Sequence, residues 1–336
     1  MRLAKRTIIC VLLFAGVVDA GDATAQSASG PTIKHINVPA PTLGGKQYWA
    51  DELLFRGYRI QRNVLTGHYR LLDEQDIRRA WGTFDECRAA IEQIKRREKL
   101  PPLSGKVVIV LHGLGRTRSS LSGMAEFLEQ NGDYTALAVS YPSTMAEVEE
   151  HAKSLGKVIE NLEGIDEIDF VAHSLGNLVI RRLLYDQLNN SSHHTVDPRI
   201  KRFVMLGAPN NGAQLAVAIS RNSLAREWIG VPGRELADGW ADLSTRLATP
   251  PCKFGVIAGG KGDAHGYNPL LNGDNDLIVT VEETRLRGAR DFLRLPVMHT
   301  FMMDDPRVQT ATLSFLDHGY FIADDQRHPI EKPPKK

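Results

Sequence analysis

Ala172-His173-Ser174-Leu175-Gly176 sets a serine between two small residues, with a continuous apolar run, Ile168–Ala172, before it and a helix-periodic stretch, Leu175–Leu188, after it. A strand that turns this sharply into a helix leaves room only for glycine or alanine beside the serine, and lifts its Oγ clear of the sheet. A hydroxyl attacks at neutral pH only if a base removes its proton, and an imidazole base needs a carboxylate to fix its tautomer. Downstream of Ser174 lie His193, His194, His265, His299, His318 and His328, and of these His299 directly follows a predicted terminal strand, Phe292–Pro296. Asp263, Asp274 and Asp276 are the acids open to the third role. The plain alternatives are a hydrogen-bonded turn serine, a histidine that caps a strand, and solvated turn aspartates.

A second signal follows the run Val107–Leu111, where the chain reads His112-Gly113-Leu114-Gly115-Arg116. Attack on an ester carbonyl puts negative charge on its oxygen, and two backbone N–H groups aimed there stabilise it by about 2.7–4 kcal/mol each. Leu175, first in its helix, is placed to supply one of them with the helix dipole behind it. A dinucleotide loop needs a third glycine where Arg118 stands. His112 is expected to order this loop and His173 to pack beside the serine.

Strand, Ala-His-Ser-Leu-Gly, then helix resembles the nucleophile turn of the α/β-hydrolase superfamily, and within it the bacterial lipase/esterase group; the resemblance spans roughly residues 105–320. It implies a serine hydrolase that cleaves carboxylic esters through an acyl-enzyme, with no cofactor and no metal. It implies the chain order serine, acid, histidine, and Gly273–Val279 is similar to the family's acid turn, which assigns the acid to Asp276, 23 positions before His299. In lipases reading His-Gly-Leu the residue after that glycine donates to the oxyanion, here Leu114. Gly207–Gly212 resembles a further lipase loop. The sequence departs from the family at Ala172, where glycine is usual, and at Leu277, where many members carry glycine. The same residues would serve an acyltransferase, a thioesterase or an amidase; a non-catalytic binding module on a hydrolase scaffold is the rival from another class.

The elements that must position these groups are legible as an alternation. Continuous apolar strands are expected at Val107–Leu111, Thr135–Ser140, Ile168–Ala172, Phe203–Leu206, Phe254–Ala258 and Phe292–Pro296, with helices at Ser120–Gln130, Thr144–Leu162, Leu175–Leu188 and Val308–Asp317. That pattern means an α/β fold, a mostly parallel sheet with helices on both faces, whose ligands bind beyond the carboxyl ends of the strands. Residues 213–249, with Leu215, Ile219, Leu224, Trp228, Leu236 and Trp240, interrupt the alternation and read either as a helical cap that roofs the serine or as helices that finish the core. Residues 103–320 then form the main domain and 321–336 a C-terminal tail. Residues 46–102 read as a small N-terminal appendage: a hairpin of Tyr58–Val64 and His68–Leu72, then a helix capped by Asp76 that includes Ile77, Ala80, Trp81, Phe84, Cys87, Ile91 and Ile94.

The 336 residues carry 41 Lys+Arg against 40 Asp+Glu, a balance that gives no footing for a general nucleic-acid partner. Arg2, Lys5 and Arg6 precede an 11-residue apolar run, Ile8–Val18, about half the ~20 residues of a membrane-spanning helix. With small residues at Ala23-Thr24-Ala25, this reads as a secretory signal peptide over residues 1–25, followed by a linker over 26–45. Val18-Asp19-Ala20 is the second cleavage choice. The expectation is an exported protein, periplasmic or secreted, with no transmembrane segment in its mature chain and a small-molecule or lipid ester as substrate. Export leaves open whether Cys87 and Cys252 pair.

Overall fold

Val107 to Leu111 is buried at every position, and the pleat sends alternate side chains to opposite faces. Val107, Ile109 and Leu111 join one apolar cluster, Val108 and Val110 another. A strand apolar on both faces folds only where helices cover both. This strand, β6 (Gly105–Leu111), belongs to a six-stranded sheet parallel throughout, with β7 (Thr135–Val139), β8 (Ile165–His173), β9 (Ile200–Leu206), β10 (Lys253–Gly259) and β11 (Asp291–Leu295), in the order β11-β10-β9-β8-β6-β7. The structure is a computed structural model that describes residues 40–41, 46–189, 194–222, 226–227 and 229–331. The expected signal peptide, the expected linker apart from Ala40 and Pro41, Leu224, Trp228 and residues 332–336 lie outside the described residues.

Helices α3 (Val148–Glu160) and α4 (Leu175–Leu188) cover the first face, through Leu155, Val158, Leu178 and Ile180. Helices α2 (Ser122–Asn131) and α8 (Pro306–His318) cover the second, through Met124, Leu128, Val308 and Phe315. Strand β6 sits between β7 and β8. The chain leaves β6 to one side and returns on the other, so the loops after β6 and β8 open a crevice at the carboxyl end of the sheet. No helix among the described residues is long and apolar enough to cross a membrane.

The N-terminal segment differs from its expected form. Strands β1 (Ala40–Pro41), β2 (Trp49–Phe55), β3 (Tyr58–Asn63), β4 (Tyr69–Leu72) and β5 (Ile77–Gly82) make an antiparallel sheet in the order β1-β5-β4-β3-β2. The hairpin of β3 and β4 is present, but Ile77–Gly82 is a strand and Asp76 caps no helix. Asp73 explains this: its Oδ1 accepts the N–H groups of Gln75 and Ile77, which closes a turn in which Asp76 has φ 62. A left-handed residue there cannot lead into a helix. The helix, α1 (Phe84–Glu98), starts after Thr83, whose side chain and that of Glu86 form a capping box. Its Cys87 and Ile91 pack with Leu53, Ile60 and Leu71 in the same apolar cluster that lines the first face of the parallel sheet. Asp51 ties β2 to the end of β7: its carboxylate accepts the Ser140 N–H at 2.6 Å and its own N–H donates to the Ser140 carbonyl at 2.9 Å. Cys87 and Cys252 are both unpaired thiols.

Asp169, on β8, is 1% exposed and accepts the Arg202 N–H at 2.7 Å. Burial outweighs that bond and pushes its carboxyl from 3.8 up to about 7. Between those values the folded protein keeps a proton that the unfolded chain has lost, so stability falls as pH rises from about 4 to 7. Asp169→Asn removes the titration and retains the acceptor. Its expected result is a denaturation midpoint near wild type at pH 4 and above it at pH 8. The gap should be a few kcal/mol at most, at about 1.4 kcal/mol per pKa unit; urea titrations at the two pH values check this.

Candidate active site

Ser174 stands where β8 meets α4, with φ 53 and ψ −122, a conformation that costs a non-glycine residue on the order of 1–3 kcal/mol. Its surroundings hold it there. The Ser174 N–H donates to the Leu206 carbonyl at 2.9 Å, and its own carbonyl accepts from the backbone and side chain of Asn177 at 3.1 and 2.9 Å. A Cβ on Gly176 would lie 2.9 Å from the carbonyl oxygens of both Leu111 and His112, so the turn admits only glycine at that position. Ala172 has ordinary strand backbone, which is why alanine stands there without strain.

The structure brings Asp276 and His299, 23 positions apart in the chain, together. The His299 Nδ1 donates to Asp276 Oδ2 at 2.6 Å, and the His299 N–H donates to the Asp276 carbonyl at 2.8 Å. The other carboxylate oxygen, Oδ1, accepts the N–H groups of Ile278 and Val279 at 3.0 and 2.7 Å, and the side chain is fully buried. That turn places Leu277 at φ 96, the left-handed region where glycine is at ease. Asp263 and Asp274 are occupied elsewhere. Asp263 accepts the N–H groups of His265 and Gly266 and pairs with Lys261, while Asp274 accepts those of Lys261 and Gly262.

His173 is buried and donates its Nε2–H to the His299 carbonyl at 3.0 Å, which steadies the loop after β11. His112 donates Nδ1–H to the Gly113 carbonyl at 2.9 Å, and burial pushes its pKa down to about 4, so it is neutral at pH 7. The loop it begins is braced on several sides. The Tyr141 hydroxyl donates to the His112 carbonyl, the Gly115 N–H to Ser143 Oγ at 3.1 Å, and Gln47 Nε2 to the Arg116 carbonyl at 2.9 Å. Among the described residues the N–H groups of Leu114 and Leu175 have no acceptor.

Ser174, His299, Leu114 and Leu175 line one cavity of about 280 Å³. Its walls are Leu215, Ala216 and Ile219 of α5 (Gln214–Ser220), Leu236 of α6 (Gly230–Ala237), and Ile278 with Val279. Of residues 213–249, expected as either a cap or core-finishing helices, α5 and α6 line the cavity, while Leu243 of α7 (Trp240–Thr245) and Leu247 join the main core. Gly207, where the Gly207–Gly212 loop begins, lies against the His299 ring, 3.0 Å from Nδ1 for any added Cβ. Arg116 and Thr300 also line the cavity and were not singled out from the sequence. Arg116 had a positional signal, two residues past Leu114. A serine at a tight turn, an imidazole oriented by a carboxylate, and two unspent N–H donors around an apolar cavity are what acyl transfer to and from a hydroxyl requires.

A family described as a domain of unknown function (DUF7379) matches residues 72–231, just under half the chain. No curated protein matches. Among solved structures, the mature form of the lipase BlEst2 of Bacillus licheniformis is 20% identical, covering 65% of this chain and 91% of its own, with a TM-score of 0.46. Phospholipase PlaB of Legionella pneumophila is 18% identical over 54% of this chain and 45% of its own, TM-score 0.40. The RedJ thioesterase of Streptomyces coelicolor is 16% identical over 64% and 88%, TM-score 0.39. The parallel sheet with β6 between β7 and β8, the helices on both faces and the strand–Ser174–helix turn make the fold that of the α/β-hydrolases.

Proposed function

We propose that the protein is a serine hydrolase of carboxylic esters. Ser174 Oγ attacks the ester carbonyl while His299, held by Asp276, takes its proton. The N–H groups of Leu114 and Leu175 receive the oxyanion. His299 then protonates the departing alcohol, and water repeats the sequence to free the acid and restore the serine. The observation that carries this reading is the buried His299–Asp276 hydrogen bond at 2.6 Å on the wall of the cavity that also holds Ser174. We also propose that the protein works outside the cytoplasm; mass measurement of the mature chain tests this, with a start at Gln26 expected.

The cavity bounds the acyl group. At about 280 Å³ it lies at the small end of the roughly 300–1,000 Å³ usual for small-molecule sites, and its cap walls are apolar. Short acyl chains are therefore expected to be preferred to long ones. In a panel of p-nitrophenyl esters, kcat/KM should peak at the butanoate or hexanoate and fall by about tenfold or more at the palmitate, since each poorly accommodated methylene forfeits up to ~0.8 kcal/mol. The same panel run on Ser174→Ala gives the background. A flat profile up to the palmitate would contradict the size limit, and activity retained by the variant would contradict the function.

A further inference from the structure

Among the described residues that line the cavity, Arg116 is the one that carries a charge independent of pH near neutrality. The remaining lining residues supply no carboxylate. The undescribed cap positions Ser223, Leu224, Ala225 and Trp228 have none to offer either. Arg116 is half-buried, and among the described residues its guanidinium enters no ion pair and no hydrogen bond; only its backbone is engaged, by Gly113 and Gln47. Of the four arginines in residues 213–249, three are paired: Arg226 meets Asp238 at 2.8 Å, Arg234 meets Glu227 at 3.7 Å, and Arg246 meets Asp242 and Glu149; the fourth, Arg221, is exposed and does not line the cavity. A half-buried guanidinium with no protein acceptor keeps its N–H donors free for an incoming anion.

We infer that the preferred substrate is an ester that also bears a carboxylate, and that Arg116 is the residue that binds this second charge. The inference rests on the hydrolase reading and narrows its substrate class. A planar guanidinium grips a carboxylate with two parallel N–H···O bonds, which gives geometric as well as electrostatic selection. One guanidinium balances one negative charge. A doubly charged phosphate monoester would leave a surplus in a cavity with no second cation, which favours the carboxylate. Burial first, then the neighbouring His299 and Arg116, holds His173 far below the usual histidine range, so no second positive charge forms there to compete for the anion.

Two matched pairs of esters test this. One places the charge on the alcohol half, para-butanoyloxybenzoate against its methyl ester; the other places it on the acyl half, mono-p-nitrophenyl glutarate against p-nitrophenyl pentanoate. The quantity read is the ratio of kcat/KM for the charged to the neutral member, in wild type and in Arg116→Gln, so that the intrinsic reactivity of each ester cancels. A fall of about 10–100-fold in that ratio in either pair is expected, with partial rescue in Arg116→Lys, and the pair that responds tells which half carries the charge. In wild type, added salt should lower kcat/KM for the responding charged ester more than for its neutral partner, a readout that needs no variant. A ratio unchanged by Arg116→Gln in both pairs, or equal losses on charged and neutral members, overturns the inference and leaves the hydrolase intact. Wild-type protein inactive on all four esters, or a Ser174→Ala variant as active as wild type, removes the hydrolase reading and this inference with it.

Discussion

Ser174→Ala is expected to lower kcat for p-nitrophenyl butanoate by about 10⁵–10⁶-fold while the protein stays folded. The size follows from what is lost and what remains. Without Oγ there is no acyl-enzyme, and His299 has no proton to accept. The apolar cavity and the N–H donors of Leu114 and Leu175 are untouched, and these alone leave a residual acceleration over water of about 10³–10⁴. The fold should survive because Ser174 contributes no side-chain cap to α4. Its turn is held through backbone hydrogen bonds to Leu206 and from Asn177, which alanine keeps. The Cβ that alanine retains is already accommodated at φ 53. Turnover should be measured on protein whose thermal midpoint matches wild type. Labelling by a fluorophosphonate, located by peptide mass, should fall on Ser174 in wild type and vanish in the variant. Turnover within tenfold of wild type would remove the serine from the chemistry.

How much of this was open to reading in the sequence follows from how local each feature is. The four inner strands were legible because both faces are buried, so every residue from Val107 to Leu111, or from Phe203 to Leu206, is apolar; the edge strands β7 and β11 are only partly buried and carry a weaker pattern. The turn at Ser174 was legible for a similar reason, since backbone crowding at Gly176 dictates residue types within five positions. The N-terminal segment was misread where two local signals competed. Asp76 and Thr83 both have the chemistry of a helix cap, and Ile77, Ala80 and Trp81 fit a helical period. The choice is made by the pairing of β5 with β4, Leu71 opposite Ala80 and Leu72 opposite Arg78, and periodicity does not reveal that pairing. Strand β2 went unread altogether. It is buried along nearly its whole length, including Asp51 and Glu52, whose burial is made possible by partners at Gln61, Ser140, Arg62 and Lys157. An Asp-Glu pair reads as solvated surface until those partners are in place. Arg116 shows the same limit, because having no partner is a property of the folded surroundings.

Asp276→Asn is expected to lose about 10⁴ in kcat, with Asp263→Asn and Asp274→Asn nearly unaffected. The outcome turns on which oxygen each partner uses. Oδ1 of Asp276 is pinned as an acceptor by the Ile278 and Val279 N–H groups, at 3.0 and 2.7 Å. An asparagine must therefore keep its carbonyl oxygen at that position and turn its NH₂ toward His299. The NH₂ then faces Nδ1 where Oδ2 now accepts at 2.6 Å, and it is satisfied only if Nδ1 carries no proton. The proton moves to Nε2, and the nitrogen left for the serine can no longer accept one. The geometry survives and the tautomer is wrong, which is a kcat defect with little change in KM. Asp263 is exposed and bound to its own turn and Lys261, and Asp274 holds the Lys261 and Gly262 amides, so neither substitution reaches the imidazole. Steady-state kinetics on the three variants, each checked for a native thermal transition, separates these cases. A large loss in Asp263→Asn with a mild one in Asp276→Asn would move the acid to the other side of its loop and with it the orientation of His299.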